Sequence, residues 1–143
     1  MRTSYDRLFV RFLKLFNEHR DYYACHDVME ELWLEEGRKP FYQGLLQVAV
    51  GLHHWHHHNT VGAIKLWEAA LHKLSPYPDN CMGIALGTVR IETALLLELV
   101  SSDEGAQAEP RDITIPITDA ELIQLVSLDD IDLHVDETNE TTP

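Results

Sequence analysis

The sequence predicts an all-α protein, a small array of about five helices around a central helical hairpin, with an extended acidic C-terminal tail. Three observations carry this. Apolar residues recur at helical spacing almost without a break through the first hundred or so positions. Of the 143 residues, 45% are apolar and 24% charged, enough for one domain to bury a core. The formal net charge of −13 is also unevenly placed. Residues 1–102 hold 12 acids and 10 bases, whereas residues 103–143 hold 12 acids and one base, Arg111. A nearly neutral helical domain over 1–102 and an acidic extension over 103–143 are therefore expected.

A first helix is expected from Ser4 to His19, with Leu8, Phe9, Phe12, Leu15 and Phe16 on one stripe. Its basic residues Arg7, Arg11 and Lys14 suit a solvated edge better than a membrane anchor, because Asp6 and Glu18 interrupt them. A second helix runs from Tyr22 to Glu36 and stops at Gly37. Pro40 opens a third, from Phe41 to His57, which is apolar on nearly every side and so belongs at the centre. Asn59 caps a fourth, whose buried stripe is Ala63, Leu66, Trp67, Ala70, Leu71 and Leu74, and Ser75-Pro76 ends it. After a loop at 76–80, a fifth helix is expected from Ile84 to Val100. Ile113 to Ile117 reads as extended because of Pro116, and Thr118 with Glu121 forms a capping box for a short helix near 118–127. The end to Pro143 reads as a mobile acidic tail. In that tail Leu128, Ile131 and Leu133 could dock a partner, although a solubilising role is the simpler one.

Several classes are disfavoured. No apolar run is long enough for a membrane span, and the first residues lack the unbroken apolar h-region and small-residue cleavage site of a signal peptide. Cys25 and Cys81 are the only cysteines, which leaves no disulfide framework and makes a reduced cytoplasm the expected location. The near-neutral body gives no electrostatic footprint for nucleic acid. There is no nucleophile elbow and no phosphate loop, and Cys25 and His26 diverge around their helix.

One constellation remains. On the third helix Gln43, Gln47 and His54 fall within about 40° of one another, with Gly44 and Gly51 in a neighbouring line. On the second, His26, Glu30 and Trp33 share a face. Folding the hairpin about Arg38 and Lys39 sets Glu30 level with Gln47, Trp33 with Gly44, and His26 with Gly51, where the glycine would leave room for the imidazole. His26, Glu30 and His54 could then hold one divalent ion, zinc or similar, with an open position for water. Gln43, Gln47 and Trp33 would contact a small-molecule substrate of unknown identity. Glu30, Glu31 and Gln47 are the candidate catalytic groups, Glu31 as a remote general base. The same side chains could equally form a buried hydrogen-bond network with no reaction, or a metal-free ligand pocket. The histidines after His54 suit capping of the last carbonyls better than metal binding.

The stretch from Ala24 to Trp33 (ACHDVMEELW), the stretch from Phe41 to Ala49 (FYQGLLQVA), His54, and the run from Asn59 to Ala63 resemble a bacterial and archaeal family. This is the domain-of-unknown-function family number three hundred and nine, which carries the general label of predicted metal-dependent hydrolase. The resemblance spans roughly Tyr22 to Gly83 and implies a small all-α array. The family's recurrent positions look to be His26, Glu30, Trp33, Gln43, Gly44 and His54. Metal-dependent hydrolysis is thus one expectation. The other is a non-catalytic helical interaction or small-ligand-binding module, in which the polar site is structural and Trp33, Trp55 and the glycine line build a core or a homo-oligomer face.

Overall fold

The computed structural model describes residues 5–103 and 105–129, and among these it is all-α with one minimal β-hairpin. The elements are α1 (Arg7–Lys14), α2 (Tyr22–Glu35), α3 (Pro40–His56), α4 (Thr60–Leu74), β1 (Asn80–Cys81), β2 (Ile84–Ala85), α5 (Leu86–Ser101) and α6 (Ala120–Leu128). The part of the acidic tail over 130–143, with Ile131 and Leu133, lies outside the described residues.

Each boundary has a local cause. Asp6 caps α1 by accepting from the Leu8 amide, and Asp21 caps α2 by accepting from the Ala24 amide. Between them the first helix finishes as a π-helical turn over Leu15–His19 and closes at Arg20, which takes the left-handed conformation at φ 54°. The α2–α3 connection turns on Gly37 and Arg38, both at positive φ, and the Arg38 amide reaches back to the Trp33 carbonyl at 2.7 Å. Pro40 occupies the first turn of α3. Asn59 caps α4 through the Gly62 amide at 3.0 Å.

Helix α3 is the hub, packed against α2 on one side and α4 on the other. The glycine line faces α4. A Cβ at Gly51 would stand 2.5 Å from Trp67 Cδ1, and one at Gly44 would stand 2.7 Å from Leu74 Cδ2. The room at Gly51 therefore admits the Trp67 indole, which donates to the Val48 carbonyl at 3.3 Å, and not the imidazole of His26. Trp55 and Trp67 meet edge to face, with centroids 5.8 Å apart. Trp55 and both glycines are thus spent inside the chain and offer no face for self-association.

The fifth helix starts later than the periodicity suggests. Met82 and Gly83, both at positive φ, make a two-residue turn that pairs Asn80 with Ala85 and Cys81 with Ile84. The segment after α5 returns across the body. Ile117 bridges to Ile84, the Ala85 amide donates to Pro116 O at 2.9 Å, and Ile113 and Ile115 are buried. The Asn17 side chain brackets Ile115, donating to its carbonyl and accepting from its amide, each at 2.9 Å.

Helix α6 then lies on α1, with Leu122 and Val126 in the core. Its N-cap is Asp119, one residue beyond the Thr118 of the expected capping box, and it makes no side-chain cap bond. The basic edge of α1 receives this helix. Lys14 is buried rather than solvated and donates to Val126 O and Glu18, while Arg11 pairs with Asp129.

Candidate functional site

Helices α2 and α3 run as antiparallel neighbours, and the side chains at one end of this hairpin enclose two adjoining concavities. The larger, of 460 Å³, lies among Arg20, Asp21, Tyr22, Tyr23 and the histidines of the α3 terminus, with Asp112 at its rim. The smaller, of 220 Å³, is bounded by Tyr22, Tyr23, His26, Val50, His53 and His54. Tyr22, Tyr23 and His53 belong to both, so a single cleft with two lobes crosses this end of the hairpin.

The expected residues are partly gathered here. His26 and His54 line the smaller lobe. Glu30 lies one turn below His26, with Oε2 3.2 Å from His26 Nε2. His26 Nδ1 faces Asp27 at 3.5 Å. The side chains of His26 and Glu30 are 44% and 47% exposed, so the pair is a half-open surface dyad and not the buried network expected from the sequence.

The glutamines stand apart from this dyad. Lys73 Nζ of α4 donates to the Gln47 side-chain carbonyl at 3.1 Å. Gln43 is half-buried and Glu31 exposed, and neither borders the cleft. Trp33 packs partly against the core under the Arg38 guanidinium, 5.5 Å from the ring centroid, and its buried Nε1 has no acceptor among the described residues. His54 Nδ1 is 3.3 Å from the Asn59 amide nitrogen, which fixes the ring against the start of α4.

A metal needs more than this provides. The 3.2 Å separation of His26 Nε2 and Glu30 Oε2 is close to the edge of a tetrahedron with bonds of about 2.0 Å. Two donors alone make a weak site. Among the described residues no group of three or more His, Cys, Asp or Glu side chains is placed to hold a metal ion. His26, Glu30 and His54 therefore do not form a ligand set as arranged.

Tyr22, Tyr23 and Asp112 were not singled out by the sequence patterns. Tyr22 donates to Asp112 Oδ1 at 2.5 Å, and His56 Nε2 approaches the same oxygen at 3.4 Å. The Tyr23 and His53 rings touch at 5.3 Å between centroids, and the His53 and His57 rings meet at a tilt with centroids 4.3 Å apart. Burial, followed by the charges of His57 and His54, lowers the His53 pKa below the usual imidazole value. Burial first, then the Asp112 hydrogen bond, raises that of Tyr22. Burial likewise pushes up the Cys25 thiol, which keeps it protonated and inert. His57 Nδ1 does sit 2.8 Å from the His53 carbonyl, in keeping with a capping role, but His56 instead ties α3 to the returning segment. The hairpin register that set His26 level with Gly51 also sets Tyr23 level with His54, and that signal could have located the cleft.

Residues 9–66 match the model of DUF309, a domain of unknown function. This is a likeness to that family over part of the chain. The matched segment runs from α1 into α4 and holds His26, Glu30, Glu31, Trp33, Gln43, Gln47 and His54. Asp112 lies beyond it, so the matched segment supplies the cleft walls while the returning segment supplies part of the rim. Over 101 residues, 68% of this chain, the sequence is 32% identical to the uncharacterized protein YpuF of Bacillus subtilis, of which it covers 55%. It is 33% identical over 87 residues, 59% of this chain, to an uncharacterized protein of Aquifex aeolicus, of which it covers 25%. The chain thus spans about half the length of one curated relative and a quarter of the other. Among the described residues no helix is long and apolar enough to cross a membrane.

Proposed function

We propose that this protein is a small-ligand-binding helical module whose site is the two-lobed cleft at the end of the α2–α3 hairpin. The observation that carries the reading is the sharing of Tyr22, Tyr23 and His53 by the two lobes, with His26 and His54 beside them. Tyrosine rings and Val50 offer an apolar wall, and the imidazoles offer donors and acceptors that fix orientation, the usual composition of a small-molecule site. A lowered His53 pKa keeps that ring neutral near pH 7, able to donate from one nitrogen and accept at the other. The ligand that fits is a small planar organic molecule with one or two hydrogen-bonding groups. Screening fluorinated aromatic fragments by fluorine NMR tests this. Fragment lines should broaden with the protein and sharpen again with His53→Ala. A flat screen, or broadening indifferent to that change, contradicts the reading.

A second reading, hydrolysis, is favoured by the contact between His26 and Glu30. Glu30 accepting from Nε2–H fixes the tautomer that leaves the Nδ1 lone pair free, the arrangement of a carboxylate-oriented general base. Asp27, 79% exposed, can swing away from that nitrogen. Substrate would occupy the smaller lobe, with its reacting carbonyl or ester near His26. Hydrolysis of a chromogenic aryl ester that is lost in both His26→Ala and Glu30→Gln supports this reading, and equal rates in all three proteins contradict it.

A further inference from the structure

Helix α5 lies at the edge of the array. Its residues Leu86, Val89, Thr93, Leu96 and Val100 turn inward, while α4 is its main helical neighbour. The opposite face carries Ile91 and Leu95, 63% and 56% exposed and one turn apart. Among the described residues no other helix exposes two large apolar side chains at that spacing. The stripe runs into a groove of 420 Å³ between α5 and the returning segment, lined by Leu95, Glu98, Leu99, Ser102 and Arg111. Glu98 and the Arg111 guanidinium share this groove, and neither forms an ion pair among the described residues.

We propose that this face docks a second copy of the chain about a two-fold axis, with Ile91 and Leu95 of both copies at the centre and Glu98 of each copy meeting Arg111 of the other. A two-fold interface uses one patch twice, so whatever the patch carries must complement itself. An apolar stripe satisfies this, and so does one unpaired acid beside one unpaired base. An acidic partner would be opposed by Glu98, and a basic one by Arg111. A second copy satisfies both charges at once. The proposal does not rest on a ligand in the α2–α3 cleft, although Asp112 on the rim of that cleft is the neighbour of Arg111 in the chain.

Sedimentation equilibrium of the full chain tests it. The average mass should rise toward twice that of the monomer as concentration approaches the millimolar range, and Ile91→Glu or Leu95→Asp should hold the chain monomeric. These positions are exposed, so each variant should keep the wild-type helical signal. Glu98→Arg or Arg111→Glu alone should weaken the dimer about tenfold, and the two together should restore it. A chain that stays monomeric throughout overturns the proposal, as does a dimer that ignores Ile91→Glu. A double charge reversal no better than either single one overturns the pairing of Glu98 with Arg111.

Discussion

The Tyr22 hydroxyl donates to Asp112 across 2.5 Å, joining the start of α2 to a segment 90 positions further along the chain. With Asn17 on Ile115 and Arg20 on Thr114, it fastens the returning segment over the larger lobe of the cleft. A hydrogen bond from a buried phenol to a carboxylate contributes about 1.5–3 kcal/mol. Tyr22→Phe is expected to lower unfolding stability by about that amount. It should also speed hydrogen exchange at the Ile115 amide, and urea unfolding together with exchange NMR measures both.

His53 gives the chain a pH dependence of definite sign. Its folded-state pKa lies below the unfolded value of about 6.5, mainly through burial. The unfolded chain therefore binds more protons as pH falls past that value, so the contribution of His53 is present above it and is lost toward the folded pKa. Urea midpoints recorded from neutral to mildly acidic pH should fall, and His53→Gln should fall less.

The glycine at position 51 is a packing requirement. An added methyl meets the Trp67 ring, which is held by its bond to Val48 O and by Trp55. The helix-propensity gain of Gly51→Ala, about 1 kcal/mol, is outweighed by overpacking against the Trp67 indole, which has nowhere to move. A net loss of about 1–2 kcal/mol is expected, with shifts in the Trp67 fluorescence environment.

The half-exposed His26–Glu30 pair should contribute little to folding. Surface ion pairs contribute about 0–1 kcal/mol, so Glu30→Gln should leave the urea midpoint nearly unchanged. A large loss would mean that the pair is a structural element of the hairpin.

Helices α2, α3 and α4 were legible because their caps and apolar stripes are local. Asn59, Gly37 and Pro40 each act within a few residues of their position. What failed was the side of α3 that each stripe faces. The hairpin register fixes height along the helix but not rotation, and α3 is apolar nearly all round, so nothing local says that Gly51 looks at Trp67 rather than His26. The hairpin at Met82 and Gly83 escaped because two-residue strands carry no alternation. The Ile113–Ile117 run was recognisably extended, but its partner, Asn17, lies 98 positions away from Ile115. The same limit hid Asp112 from the site.

Ligand occupancy of the α2–α3 cleft is read most directly by histidine side-chain NMR. As a fluoroaromatic fragment is titrated in, the ring resonances of His26, His53 and His54 should move together along one saturable curve, while the exposed His72 on α4 stays still. Histidine signals that never move, or a His72 that shifts as far as His53, would contradict it.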